Sequence, residues 1–203
     1  MSNPRSTGEQ GAGRGPGLPS EFADAKLAIE LIPKSMWGFN VRSEVSRQDW
    51  DRIRVPVYTA AGNRCEICGG QGTQHAVECH EVWEFIEEQH VQRLVRLIAL
   101  CPACHQVKHF GRAVVLGFEG DATAHLMKVN RWDLPTARRY ISAAGREWQR
   151  RSEYEWTLDL AALSRYGARP EFGLAGAESI CVNCRIALPK ALIDAEGLCE
   201  DCR

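Results

Sequence analysis

Residues 101–111 read CPACHQVKHFG, and their spacing decides much of the fold. Pro102 suits the first position of a helix and Gly111 the position just past its end, so about two helical turns are expected between them. On such a helix His105 and His109, four residues apart, share one face, and Cys104 and Lys108 share the adjoining one. One short element can thus offer Cys101 and Cys104 to one site and two imidazoles to another.

Working outward, the cysteines explain the first of these sites. Of nine cysteines, eight fall into four C-x2-C pairs: Cys65/Cys68, Cys101/Cys104, Cys181/Cys184 and Cys199/Cys202. Two thiolates on a tight turn cover one edge of a tetrahedron and a second pair closes it, so the pairs read as two four-thiolate zinc sites, with Cys79 left over. A secreted disulfide framework would need an export signal. Residues 1–20 hold Gly, Pro, Ser and a few charges but no apolar stretch, so a cytoplasmic protein is expected.

Composition sets bounds. The 203 residues, 44% hydrophobic and 25% charged, suit one main globular core with small appendages. The longest apolar run, near Leu97–Leu100, is too short to span a bilayer, and no membrane partner is expected. With 25 Lys plus Arg against 26 Asp plus Glu the formal net charge is -1, so affinity for nucleic acid must come from local patches.

The expected organisation is a disordered leader (1–20), a helical bracing segment (21–61), a zinc-bearing unit (62–118), a basic helical region (119–163), a linker (164–178) and a four-cysteine zinc ribbon (179–203) that needs its metal to fold. Within the bracing segment helices are predicted over Phe22–Ile32, stopped by Pro33, and over Ser46–Arg54; Trp37, Phe39 and Trp50 read as packing residues. Residues 126–155 carry Lys128, Arg131, Arg138, Arg139, Arg146, Arg150 and Arg151 against Asp133, Glu147, Glu153 and Glu155. There Ala137, Tyr140, Ile141, Ala144 and Trp148 form one helical face, while Arg139, Arg146 and Arg150 line another that reads either as a DNA-phosphate contact or as a solvated surface. The acidic run Glu81, Glu84, Glu87 and Glu88 reads as a solvated loop, and His75, His90 and His125 as isolated surface or core residues.

Between the cysteine pairs, residues 75–80 (HAVECH) alternate as a strand that would put Glu78 and His80 on one face. Val91–Leu100 is ambiguous: Val91, Leu94, Val95 and Ile98 fit a helical period, while the β-branched and apolar content fits a buried strand.

The combination of CEIC (65–68), ECHE (78–81) and LCPACHQVKH (100–109) resembles the HNH endonucleases, in the variety whose hairpin-and-helix unit is clamped by two C-x2-C knuckles. The resemblance covers about 50 residues. It implies a zinc-stabilised ββα-metal unit with a strand at Val91–Leu100, which with the surrounding helices and the C-terminal ribbon read above makes an α+β fold. It further implies metal-dependent hydrolysis of DNA, with His80 as general base and His105 and His109 holding one catalytic divalent ion (Mg, Mn, Ni or Zn) beside the two structural zinc ions. Imidazole titrates where a water must be deprotonated near neutral pH, and a cation offsets charge on the phosphate oxygens.

Two positions depart from the family pattern. Cys79 stands where an Asp or His ligand is usual: it either binds a softer metal, or cedes the role to Glu78 or Glu81, or is a core thiol. Arg96 or Gln92 occupies the region of the central Asn. The alternative reading is a noncatalytic zinc-finger module that binds DNA or serves as a protein adaptor, and the ribbon could carry a protein partner in either case.

Overall fold

The computed structural model describes residues 17–168, together with the backbone of a short antiparallel pair, Ser179–Ile180 with Ala187–Leu188. Cys181, Cys184, Cys199 and Cys202, and residues 1–16 of the expected leader, lie outside the described residues.

The fold is α+β. Strands β1 (Glu78–Ile86) and β2 (Val91–Leu100) form an antiparallel hairpin whose register pairs Glu78 with Leu100, His80 with Ile98 and Ile86 with Val91. A bulge at Val82/Trp83 adds one residue to β2, and His90 closes the turn at φ +51°. Strand β3 (Thr157–Asp159) pairs in parallel with the start of β2 and completes a sheet in the order β1-β2-β3. Val91–Leu100 is therefore a strand, as the resemblance implied, although its period fits a helix. Buried on both faces of the sheet toward its end, it is a nearly continuous apolar run, and such a run matches several periods at once.

Helix α1 (Arg47–Ala60) precedes the sheet, and α2 (Pro102–Lys108), α3 (Phe110–Val115), α4 (Glu119–Asn130) and α5 (Leu134–Arg151) follow the hairpin. The Ser46 hydroxyl caps α1 by accepting from the Asp49 N–H, and the Asp133 carboxylate caps α5 by accepting from Thr136. Helix α1 runs six residues past its expected end at Arg54 and tolerates Pro56 inside it. The expected helical region over 119–163 is broken at Arg131, in the left-handed region at φ +58°, and ends in β3 and a 3-10 turn at Ala161–Tyr166. Gly111 does not end the helix begun at Pro102. The break falls at His109 (φ -95°, ψ 47°), and Gly111 lies inside α3.

The sheet separates two cores. On one face Ile98 and Leu100 pack with Val107, Phe110, Leu126 and Tyr140; on the other Cys79, Trp83, Leu94 and Leu97 pack with Ile53, Val57, Trp156 and Leu163. The predicted α5 face is borne out, with Ala137, Tyr140 and Ala144 buried. Phe39 and Trp50 pack against the second core, whereas Trp37 is 58% exposed and stacks on Trp148 at 5.6 Å between centroids.

Phe22–Ile32 is not a helix. One 3-10 turn (Ser20–Phe22) leads into a segment whose backbone groups are taken by distant residues: Leu27 N–H donates to Asn130 Oδ1, Ile29 N–H to the Tyr140 hydroxyl and Glu30 N–H to the Lys108 carbonyl. The Leu31 carbonyl accepts from Arg151 and that of Ile32 from Trp148. These tertiary bonds satisfy groups that a helix would have paired internally.

Candidate metal centres

The first centre is assembled by two tight turns. In the Cys65–Cys68 knuckle, Gly69 N–H donates to the Cys65 carbonyl and Cys65 N–H to the Gly70 carbonyl. Gly69 sits at φ +76°, where a side chain would strain the turn. Cys68 and Gly70 N–H groups point at the sulfurs of Cys65 and Cys68. Opposite, Cys101 is the N-cap of α2 and Cys104 lies in its first turn.

Glu66 staples the knuckle to the end of β2. Its backbone N–H donates to the Ala99 carbonyl, and its carboxylate accepts from Ala99 N–H at 2.8 Å and from Arg96 at 2.9 Å. The four sulfurs lie within 4.8 Å of one another, with Cys68 and Cys101 at 3.6 Å. Zn–S bonds of about 2.3 Å in a tetrahedron require S···S edges of roughly 3.8 Å, so the set fits such an ion.

Proton balance agrees with that fit. A hydrogen bond from Cys104 draws the Cys65 thiol down to about 4, while the same contact drives Cys104 up and burial lifts Cys101 to about 11. Crowded sulfurs resist further ionisation, and four thiolates together call for a cation. His125 Nε2 lies 3.1 Å from Cys104 Sγ, a neighbour that its isolated place in the sequence did not announce.

The second centre lies on the same side of the sheet. Glu78 and His80, alternate residues of β1, face α2, where His105 occupies the middle and His109 the junction with α3. Ring nitrogens of His80, His105 and His109 come within 4.8 Å of one another. The ring of His80 is 5.1 Å from each of the other two, edge to face, and those two are 4.7 Å apart.

His80 is fully buried, and neither of its ring nitrogens has an aligned hydrogen-bond partner. Burial, then the neighbouring His80 and His105, push His109 down to about 4, which keeps it neutral and able to donate a lone pair. A buried imidazole without an aligned partner, beside a second one held neutral, fits a divalent transition ion.

Carboxylates back two of the three rings. Glu78 contacts His105 Nδ1 and also His75 Nε2 at 2.7 Å, and the hydrogen bond with His105 is the main reason its carboxyl is held at about 2. Glu30 reaches His80 from the other side, Oε2 lying 2.9 Å from Nε2 but off hydrogen-bond alignment. Burial works to raise the Glu30 carboxyl; His80, with Lys108 and His109, outweighs it and holds it below the usual range.

His105 and His109 open onto a cleft of about 420 Å³ that Glu78, Gln106, Arg112 and Phe118 also line.

The three histidines singled out from the sequence are thus brought together, and Cys65, Cys68, Cys101 and Cys104 form one set. Cys79 does not join the histidines. One step along β1 turns it into the second core, its backbone N–H bonded to the Tyr58 hydroxyl and its thiol pushed by burial to about 12. Glu81 also points that way and accepts from Val41 N–H at 3.0 Å.

The acidic run is not simply a solvated loop, because Glu87 holds both Arg150 and the buried Arg151. The Arg150 guanidinium donates to Glu147 and Glu87 while its side chain stays 39% exposed. Arg139 lies 3.7 Å from Glu21, Arg146 donates to Ser142, and none of the three lines the cleft.

Sequence reading missed Glu30, Glu66 and His125. Glu30 and Glu66 carry no spacing signal relative to the residues they serve, whereas the H-x2-E spacing of His75 and Glu78 was available. Among the described residues no helix is long and apolar enough to cross a membrane. Comparison of the chain with models of known families, with curated proteins and with solved structures returned no match, so the geometry of these two centres is what a functional reading rests on.

Proposed function

We propose that this protein is a metal-dependent endonuclease that hydrolyses DNA phosphodiester bonds, related in its site to the HNH endonucleases that residues 65–109 resemble. The observation that carries the reading is the convergence of His80, from a hairpin strand, with His105 and His109, from the following helix, beside an open cleft. The cysteine tetrad holds a structural zinc in this reading, and the C-terminal cysteines a second.

His80, His105 and His109 would hold a divalent ion, which when bound supplies Lewis acidity and offsets charge on the phosphate oxygens. His80 acts in this arrangement as a ligand rather than as the general base of the resemblance: it has no exposed surface and does not line the cleft. Glu78 fixes the tautomer and direction of His105.

Arg112, exposed on α3 and lining the cleft, places a positive charge where a phosphate would enter. Approach of an anion past Glu78 needs such a charge. The apolar Leu116 and Phe118 line the same cleft, and both are substantially exposed.

Cleavage of supercoiled plasmid DNA, assayed separately with Mg2+, Mn2+, Ni2+ and Zn2+, tests the reading. Nicking by the wild type with at least one ion, abolished in His105→Ala and His80→Ala and lowered roughly tenfold or more in Arg112→Gln, is expected. Absence of cleavage with every ion, or equal cleavage by wild type and His105→Ala, would overturn it. Metal titration of His80→Ala separates ligand from base: lost binding at the histidine site marks a ligand, retained binding with lost cleavage a base.

A further inference from the structure

We propose that Glu30 is a positioning residue of the histidine centre, delivered by the strap at residues 27–32 to fix the ring of His80 through its Nε2 and leave the other ring nitrogen for an ion. This assignment rests on the metal-site reading above. It concerns a residue fifty positions upstream of the strand it serves.

Three observations carry it. The Glu30 side chain is only 2% exposed, and its Oε2 stands 2.9 Å from Nε2 of the fully buried His80. A carboxylate taken out of water is costly unless paired, so its placement against an imidazole is a constraint that the fold maintains. The convergent set holds the three imidazoles without Glu30, so the carboxylate meets His80 and does not close on the group as a whole.

Finally, the strap is tied down through its backbone by residues from three different helices. Asn130 takes both the N–H and the carbonyl of Leu27, Tyr140 the N–H of Ile29, and the Lys108 carbonyl the N–H of Glu30 itself. Lys108 belongs to the helix that carries His105, so one bond locks the strap to the element opposite His80. Glu78 stands to His105 as Glu30 stands to His80, and two rings backed by carboxylates match the way metal-binding imidazoles are generally oriented.

The test uses the full-length protein with its cysteine tetrad filled by zinc, and Co2+ as the probe for the histidine site. Glu30→Gln is expected to weaken Co2+ binding by about 10–100-fold while leaving tetrad zinc and the visible band positions of bound Co2+ unchanged, with Glu30→Asp recovering part of the affinity. Unchanged affinity in a folded Glu30→Gln protein overturns the proposal, and so does a shifted band pattern, which would make Glu30 a ligand.

Because a buried substitution can prevent folding, a second measurement is made on the wild type. Nitrogen NMR of the zinc-loaded protein should find the His80 proton on Nε2, and a proton on Nδ1 overturns the proposal. Failure of the wild type to bind Co2+ at this site would instead refute the underlying metal reading, so the two failures are distinguishable.

Discussion

The two faces of the β1–β2 hairpin are built from interleaved residues and have opposite chemistry. Glu78 and His80 look toward α2 and take part in a polar, ion-ready cluster; Cys79 and Glu81, each one position away, look into a core of Trp83, Leu94, Leu97 and Trp156. The period of two in a strand makes this a matter of register. A single residue's shift would carry Cys79 to the histidines and bury His80 in hydrocarbon. The difference teaches that one hairpin can set a polar cluster into the edge of one apolar core while its alternate residues fill another.

Disrupting the cysteine tetrad gives the largest expected effect on that comparison. Cys104→Ser removes a thiolate from the element that also carries His105 and His109. Structural zinc typically contributes about 10–16 kcal/mol of apparent binding free energy, so losing the ion should abolish cooperative folding of the ion-ready face. Circular dichroism melts and elemental analysis check this, with one zinc fewer per chain expected. A variant that keeps its zinc and its melting transition would mean that the tetrad does not support the face.

Trp83→Ala attacks the opposite face and should cost about 3–5 kcal/mol by leaving a cavity in the second core. Measured in the cold, where the variant remains folded, its tetrad should still bind zinc. Loss of zinc under those conditions would show that the faces are not separable.

Cys79 gives the smallest effect and the sharpest contrast with its neighbour. Cys79→Ala should cost about 1 kcal/mol and leave metal binding at both centres unaltered. With its thiol raised to about 12 by burial, almost no thiolate forms at pH 8, so iodoacetamide should label Cys79 only after unfolding. Rapid labelling of the native protein would place the side chain at the surface and undo the assignment of faces.

Local chemistry was legible in the sequence where it depends on short spacing. The tetrad, the pairing of His105 with His109 and the common face of Glu78 and His80 follow from intervals of two to four residues. Val91–Leu100 was not decided by its own pattern, because a strand covered on both sides loses the alternation that identifies one. The misread helix at Phe22–Ile32 has the same kind of cause: Asn130, Tyr140 and Lys108 compete for its backbone groups, and nothing local records them. Of the two carboxylates that Arg150 meets, Glu147 lies one turn back on the same helix, but Glu87 is 63 residues away and no spacing records it.

The strap also bears on the order in which the molecule can form. Its clamps join residues 103, 111 and 120 positions apart, so the strap, made before its partners, cannot be seated until α4 and α5 have been made. Contacts of such long separation are slow to close. The hairpin and the cysteine tetrad have everything they need by residue 104 and can nucleate earlier. Synthesis therefore passes through a stage in which the sulfurs are gathered while His80 still lacks Glu30, and an ion arriving then would find a soft site completed before an imidazole one.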